Sequence, residues 1–214
     1  MDVRQFTVGP FMENSYLVRR DGSDRALFVD PGDEAPKLLH AIEALGLTLD
    51  AILLTHTHID HVGAVAPVAT ATGADVWVPL IEKPVLADIN RFVPWPDLGP
   101  FESWDAEHTL EGGERLELAG FEIDVLFTPG HSPGHVTYSI ADEDAIFSGD
   151  VLFQGSVGRT DLPGGDWPTL LESIRSLVDS LPEKTTVYPG HMGITTLGAE
   201  RATNPFLAEL SRTR

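Results

Sequence analysis

The segment T-H-T-H-I-D-H-V-G, residues 55–63, places three histidines and an aspartate within six positions. It directly follows an apolar run, so it lies on a loop at the end of a predicted strand. Side chains alternate along extended chain, so His56 and His58 point the same way and form a chelating pair. Asp60 and His61 follow where the chain turns toward a predicted helix, in position to face a second ion. A helix cap or a solvated loop does not explain this cluster, which predicts a metal site.

Three further ligand-type residues occupy the same kind of place. His131 lies in P-G-H-S-P-G-H, Asp150 in S-G-D and His191 in P-G-H. Each follows an apolar predicted strand and comes directly after a glycine, which lets neighbouring backbone approach closely. Open α/β sheets place their sites at such strand ends. The pattern predicts that these residues meet at one site.

The chain alternates short β-rich runs with helical ones, which predicts an α/β sandwich in a single domain, residues 1–214. Strands are predicted at residues 3–8, 15–20, 25–30, 51–55, 75–78, 115–118, 121–128, 136–140, 144–148 and 185–188. Helices are predicted at residues 34–45, from about 64, and at 80–89, 167–181 and 198–202.

Composition limits the chemistry and the partners. The 214 residues contain no cysteine, so any metal is held by nitrogen and oxygen, which suits zinc, iron or manganese. The 33 acidic and 14 basic residues give a net charge of −19, which argues against general nucleic-acid binding. No apolar run approaches the roughly 20 residues that span a membrane. No secretory signal is recognised at the N-terminus. We therefore expect a cytoplasmic protein without nucleic-acid or membrane partners, as a monomer or homodimer.

The H-T-H-I-D-H motif with the three later ligand-type residues resembles the metallo-β-lactamase superfamily. Within it, G-R-T-D-L-P-G-G (158–165), P-G-H with I-T-T-L-G-A-E-R (189–201) and N-P-F-L (204–207) resemble the bacterial single-domain type II glyoxalases. The resemblance implies the αβ/βα sandwich: two mixed sheets packed face to face with helices outside. It also implies no separate C-terminal substrate domain, which leaves the thiol carrier of the substrate open.

The resemblance further implies two divalent ions per chain, zinc by preference with iron or manganese as alternatives. Site one is implied to comprise His56, His58 and His131, and site two Asp60, His61 and His191, with Asp150 bridging both ions. Asp60 and Asp150 are also the candidate catalytic residues.

The implied reaction is hydrolysis of an anionic thioester of the S-lactoylglutathione kind by a metal-bridging hydroxide. The charge of two divalent ions exceeds that of two aspartates and one hydroxide by about one positive charge. This net charge attracts an anion despite the acidic surface. Coordination lowers the pKa of water from 15.7 to about 7. A thiolate leaving group, with a pKa near 8.5, needs little help from a general acid.

Arg159 is the candidate substrate-binding residue. In two-domain glyoxalases a lysine that contacts glutathione lies the same distance after the bridging aspartate, and arginine binds carboxylates through two hydrogen bonds. The alternative is a surface arginine paired with Asp161 or Asp166.

Other residues are weaker candidates. Asp30, in V-D-P-G, is either a turn residue or the partner that orients a ligand histidine. His135 is predicted to support the site or to pack, and His40 and His108 to lie at the surface. The aromatic and proline-rich residues 92–104 wall the site, contact another subunit or form a packed surface loop.

Two other functions compete with thioester hydrolysis. A mononuclear-iron persulfide dioxygenase has the same fold and shares the G-R-T-D element. A metal-binding protein without catalysis is the third interpretation, and it predicts lost ligands, whereas all seven ligand positions are filled.

Overall fold

The computed structural model describes residues 1–93, 95 and 98–209. The chain divides into two compact units. The first comprises Met1–Glu111 and Glu117–Phe121, and the second comprises Gly112–Leu116 and Glu122–Arg214. The prediction of a single domain stays a prediction.

The first unit contains a six-stranded mixed sheet. Its strands are β1 (Asp2–Val8), β2 (Glu13–Arg19), β3 (Arg25–Val29), β4 (Thr48–Leu53), β5 (Asp75–Pro79) and β6 (His108–Leu110). They lie in sequence order; β1, β2 and β3 are antiparallel neighbours, whereas β3 to β6 are parallel. The helices are α1 (Ala35–Ala44), α2 (Ile59–Val62), α3 (Val65–Thr72) and α4 (Lys83–Ala87), with a 3-10 turn at Ile89–Arg91.

A second mixed sheet follows, and the boundary between the units passes through its first hairpin. Its strands are β7 (Arg115–Leu118), β8 (Phe121–Phe127), β9 (Val136–Ile140), β10 (Ala145–Gly149), β13 (Thr186–Pro189) and β14 (Thr195–Thr196). A separate hairpin consists of β11 (Leu152–Phe153) and β12 (Ser156–Val157). The helices are α5 (Trp167–Ser180) and α6 (Leu197–Thr203), with 3-10 turns at Ala141–Glu143 and Pro205–Glu209.

Helix α5 shows how the sequence specifies these elements. Asp166 caps its N-terminus by accepting a hydrogen bond from the Thr169 backbone N–H, 3.0 Å. Apolar side chains then recur at helical spacing. Leu170, Ile174 and Leu177 are buried in one cluster with residues of β10 and β13. In the first unit, α1 and α3 likewise pack against the strands around a buried apolar cluster.

Strand direction explains which side chains meet. In the second sheet β9 is antiparallel to both β8 and β10, and β10 is parallel to β13. Strands β8, β10 and β13 therefore end at the same edge of the sheet. In the first sheet β3 and β4 run parallel and end together. Each candidate ligand loop follows one of these strand ends.

The predicted α/β class with two mixed sheets is confirmed, and most element bounds agree to within a few residues. The helix predicted at residues 80–89 was wrong in extent: it is the short α4 followed by a 3-10 turn. Pro84 fits only near a helix start, so α4 begins at Lys83. The sequence missed α2, β6, β11, β12 and β14, because two to four residues are too short to show a period. Among the described residues, none of the helices has the length and apolar character that crossing a membrane requires.

Candidate metal centre

The loop after β4 brings two histidines together. The His56 Nε2 and His58 Nδ1 atoms lie 3.1 Å apart, and the ring planes are nearly perpendicular, at 84°. The Thr55 hydroxyl lies 3.0 Å from His56 Nδ1, so the opposite nitrogen is the one directed at His58. His56 is fully buried. The structure therefore brings the two rings together, and chelation of a metal by this pair stays a prediction.

His61 lies on α2, where a buried carboxylate fixes its tautomer. Its Nδ1 lies 2.9 Å from Asp30 Oδ2. Asp30 also accepts hydrogen bonds from the Thr55 N–H, 2.8 Å, and the Thr55 hydroxyl, 2.6 Å. An ionised Asp30 only accepts, so the His61 proton is on Nδ1 and Nε2 carries the coordinating lone pair. Asp30 thus occupies the orienting position that the sequence suggested.

In the second unit one carboxylate oxygen faces two imidazoles. Asp150 Oδ2 lies 3.4 Å from His131 Nε2 and 3.5 Å from His191 Nε2. His131 Nδ1–H donates to the Arg159 carbonyl oxygen, 2.7 Å, which leaves the lone pair on Nε2. The arrangement suits a carboxylate shared by two ions.

His135 supports this arrangement. It is fully buried, and its Nε2 accepts a hydrogen bond from the Asp150 backbone N–H, 3.1 Å. Its Nδ1 lies 3.1 Å from the Thr128 hydroxyl. Because the Nε2 lone pair is used by the Asp150 amide, His135 acts by holding Asp150 in place, as predicted, rather than as a ligand.

A glycine packs against a candidate ligand aspartate in each unit. A Cβ atom on Gly32 would overlap the Asp60 carbonyl oxygen, and one on Gly158 would overlap the Asp150 carbonyl oxygen. Neither glycine has a positive φ. Both are therefore required for the space they leave rather than for their backbone conformation.

The donor set fits divalent metal ions. Every candidate ligand atom is an imidazole nitrogen or a carboxylate oxygen, donors that suit zinc, iron and manganese. In the first unit His56 and His61, together with Asp30 that orients His61, offer three such atoms within 4.8 Å of one another. The histidine tautomers described above are those that coordination requires.

The family model that describes the metallo-β-lactamase superfamily matches residues 8–191 of the sequence. The chain belongs to this superfamily.

Two curated relatives match nearly end to end. The probable metallo-hydrolase YqgX of Bacillus subtilis (strain 168) is 43% identical over 208 residues, covering 97% of this chain and 98% of the relative. The hydroxyacylglutathione hydrolase GloC of Haemophilus influenzae is 36% identical over 220 residues, covering 97% of this chain and 98% of GloC.

Solved structures of superfamily members have the same fold. The BLEG-1 B3 metallo-β-lactamase matches with a TM-score of 0.91 and 40% identity, covering 97% of this chain and all of that one. TTHA1623 in a di-iron-bound form matches with a TM-score of 0.86 and 44% identity, covering 96% of this chain and 100% of that one. The family and the histidine clusters indicate divalent-metal binding.

Arg159 forms an ion pair with Asp161. This is one of the two partners expected if Arg159 is a surface arginine rather than a substrate-binding residue. The guanidinium Nε donates to Asp161 Oδ1, 2.6 Å, and a terminal nitrogen donates to Oδ2, 2.7 Å. Both side chains are more than half exposed. The pKa of Asp161 falls to about 2, chiefly because Arg159 hydrogen-bonds to its carboxylate. Whether Arg159 contacts substrate stays a prediction.

Sequence reasoning missed Glu13. This glutamate on β2 is fully buried and accepts a hydrogen bond from the Ser15 hydroxyl, 2.9 Å. Ser15 in turn accepts from the Gly32 N–H, 3.1 Å, and Glu13 Oε1 lies 3.9 Å from His61 Nδ1. Burial raises the pKa of Glu13 well above its usual value. A lone glutamate in a strand carries no pattern that distinguishes it from a solvent-facing one.

The C-terminal motifs form a buried network that the sequence did not indicate. Glu200 accepts hydrogen bonds from the Gly155 N–H, 2.8 Å, the Thr195 hydroxyl, 2.6 Å, and the Asn204 amide, 2.8 Å. The Asn204 amide also donates to the Ser156 carbonyl, 2.9 Å. The E-R and N-P-F-L motifs therefore hold the β11–β12 turn against α6.

The histidines predicted to lie at the surface are not equivalent. His40 is exposed on α1. His108 lies on β6, hydrogen-bonds to Asp75 at 3.0 Å and stacks on Trp77 at 4.0 Å between ring centroids. Neither belongs to the ligand groups described above.

Residues 92–104 behave in part as a packed loop. Val93, Leu98, Phe101 and Trp104 pack against the apolar cluster of the first unit, whereas Phe92 and Trp95 are exposed. Pro94, Pro96 and Asp97 lie outside the described residues.

Proposed function

We propose that the chain is a metal-dependent hydrolase that cleaves a thioester of the hydroxyacyl-thiol class, like S-lactoylglutathione. The observation that carries the proposal is the Asp150 oxygen that faces both His131 and His191. A shared carboxylate of this kind is what a two-metal hydrolase needs. The relative named hydroxyacylglutathione hydrolase, similar over 97% of the chain, supports the substrate class.

In this proposal seven side chains hold two divalent ions, zinc by preference. His56, His58 and His131 would hold the first ion and Asp60, His61 and His191 the second, with Asp150 as a ligand available to both. When bound, the ions polarise the thioester carbonyl and lower the pKa of water to about 7, which provides a nucleophile at neutral pH.

The protein groups keep the donors in the required state. Asp30 and the Arg159 carbonyl hold the protons of His61 and His131 on Nδ1, so that Nε2 faces the site. His135 accepts a hydrogen bond from the Asp150 backbone N–H and so fixes the position of Asp150. A thiolate with a pKa near 8.5 departs without first taking a proton, so the reaction needs no strong acid at the leaving group.

Arg159 is proposed to bind a carboxylate of the substrate. Its backbone carbonyl contacts His131, so its side chain starts beside a candidate ligand. Guanidinium groups bind carboxylates through two parallel hydrogen bonds, which is the geometry it already makes with Asp161.

The alternative is a mononuclear-iron persulfide dioxygenase. Such an enzyme needs one iron with open positions, usually on a face of two histidines and a carboxylate. Here Asp60, His61 and His191 are all retained, so a second ion also has a complete set of protein ligands. The C-terminal motifs are closer to the glyoxalases.

We also propose that the protein is cytoplasmic and is a monomer or homodimer. The proposed chemistry does not depend on either property.

The test is anaerobic turnover of S-lactoylglutathione by protein loaded separately with zinc, iron or manganese. We expect thioester cleavage without oxygen, with two ions per chain by elemental analysis. Iron-dependent oxygen uptake with glutathione persulfide, unaccompanied by thioester cleavage, would establish the alternative. The similarity to a β-lactamase calls for a cephalosporin as a further substrate. Cleavage of the cephalosporin but of no thioester would also overturn the proposal.

A further inference from the structure

The G-R-T-D segment ends in a two-point ion pair within a loop. Both oxygens of Asp161 are engaged by Arg159, at 2.6 and 2.7 Å, and the two residues are separated by one position. The side chains are 57% and 69% exposed, so a solute reaches either one. Exposed ion pairs are weak and are readily exchanged for another partner.

The position of this pair connects it with the candidate metal centre. The Arg159 carbonyl accepts the His131 Nδ1 proton, and Gly158 packs against the Asp150 carbonyl. The segment is therefore anchored by its backbone to two candidate ligands of the second unit. The Arg159 side chain extends from this anchor, and Asp161 covers one of its two carboxylate-binding edges, the one that includes Nε.

We propose that Asp161 is an internal competitor for Arg159, which sets the affinity of the enzyme for substrates that carry a carboxylate. The inference rests on the proposed function and concerns the substrate class of that same site. A carboxylate-bearing thioester must displace Asp161 to bind the Nε edge of Arg159, and at the other edge it meets a guanidinium whose charge Asp161 already offsets. An uncharged thioester gains nothing from either exchange. Asp161 therefore weakens binding of the anionic class and leaves the uncharged class unaffected.

The electrostatics make Asp161 a persistent competitor. Hydrogen bonding to Arg159 lowers the Asp161 pKa to about 2, so its carboxylate is ionised at neutral pH. The ion pair stabilises the folded protein fully at pH values above the ordinary Asp pKa of 3.8. This stabilisation is lost only as the pH falls toward the Asp161 pKa of about 2. The competing charge is thus present under any condition in which the enzyme is assayed near neutrality.

The experiment compares Asp161→Asn with a matched control, Asp124→Asn. Asp124 makes the same kind of two-point pair with Arg115, at 2.7 and 3.1 Å, away from the G-R-T-D segment. The substrates are S-lactoylglutathione and the uncharged lactoyl thioester of N-acetylcysteamine. For Asp161→Asn we expect KM for the glutathione thioester to fall about two- to fivefold, the scale of an exposed ion pair, with kcat within about twofold. Neither variant should change KM for the uncharged thioester.

The direction of the change decides the question. A rise in KM for Asp161→Asn would mean that Asp161 orients Arg159 for substrate, and an unchanged KM would mean that the pair is only a surface contact. Either result overturns the proposal. Asp161→Ser is measured in parallel, so that a folding defect in one variant does not decide the outcome.

Failure of the proposed function is separately visible. If the wild-type protein cleaves neither thioester, the function is wrong, and the competition is tested by binding alone. Titration calorimetry with S-methylglutathione and the metal-loaded protein should then give a lower Kd for Asp161→Asn than for wild type. An equal or higher Kd would overturn the inference whatever the reaction is.

Discussion

At the scale of single residues, proton placement determines whether a histidine can serve as a ligand. His61 and His131 each donate Nδ1–H to an oxygen, a carboxylate in one case and a backbone carbonyl in the other. The sequence identified both histidines because their spacing is conspicuous. It did not identify the Arg159 carbonyl, since a backbone acceptor has no residue type to recognise.

Replacing Asp30 tests this placement. Asp30→Asn keeps one acceptor oxygen but places an N–H₂ group against either the His61 Nδ1–H or the Thr55 N–H, so we expect affinity for the second ion to fall about 10- to 100-fold. The first ion should be held nearly as before. Metal titration with cobalt, followed by its absorption spectrum, distinguishes the two ions.

The control for that variant is Asp75→Asn, which removes the charge from an exposed histidine–aspartate pair of 3.0 Å on β5 and β6. It should leave metal affinity unchanged. Equal titration curves for Asp30→Asn and wild type would show that Asp30 is only a turn residue.

At the scale of elements, the candidate ligands are grouped by where the strands end. The sequence predicted this because apolar runs followed by glycine and a ligand-type residue recur at His131, Asp150 and His191. It could not predict that Glu200 meets Gly155, because those residues are 45 positions apart and nothing in either motif names its partner.

Two close-packed glycines give a prediction about loop position. Gly158→Ala places a methyl group on the Asp150 carbonyl, and the backbone must shift. We expect loss of bound metal and at least a tenfold fall in activity. Gly22→Ala is the control: it has φ of 75° with nothing within 4 Å of the added carbon, so it costs only backbone strain. Metal content by elemental analysis should fall in the first variant alone.

The buried network gives a prediction about stability. Asn204→Ala removes the amide that donates to Glu200 and Ser156. Leaving buried acceptors without these donors should lower the free energy of unfolding by about 1–3 kcal/mol. Asn90→Ala, which removes an exposed two-bond contact with Phe101, should cost less. Urea denaturation of both variants checks the order, and a larger loss for Asn90→Ala would contradict it.

At the scale of the whole molecule, the net charge of −19 and the absence of cysteine were fully readable from the sequence. So was the α/β class, because short β-rich runs alternate with helical ones along the chain. The short strands and the buried Glu13 were not, because strands of two to four residues show no period and the burial of a single glutamate depends on the packing around it.

Metal removal tests the proposed centre as a whole. Ions that bind only the folded state stabilise it, by about 2.7 kcal/mol at a hundredfold excess over Kd. For a chain of this size that corresponds to a Tm lower by about 5–10 °C after chelation. Readdition of zinc should restore the Tm at two ions per chain. Asp150→Ala should show a smaller drop on chelation, and identical Tm values for stripped and reloaded wild type would argue against the centre.

Gly32 and Gly158 also bear on how this protein can evolve. Every missense change of a glycine codon adds a Cβ atom, and at these two positions that atom would overlap a main-chain carbonyl oxygen, so the backbone must shift. We therefore expect no neutral amino-acid substitution at either position in a lineage that keeps the activity. We expect a saturation-mutagenesis library selected for activity to be depleted at both glycines as severely as at the ligands themselves.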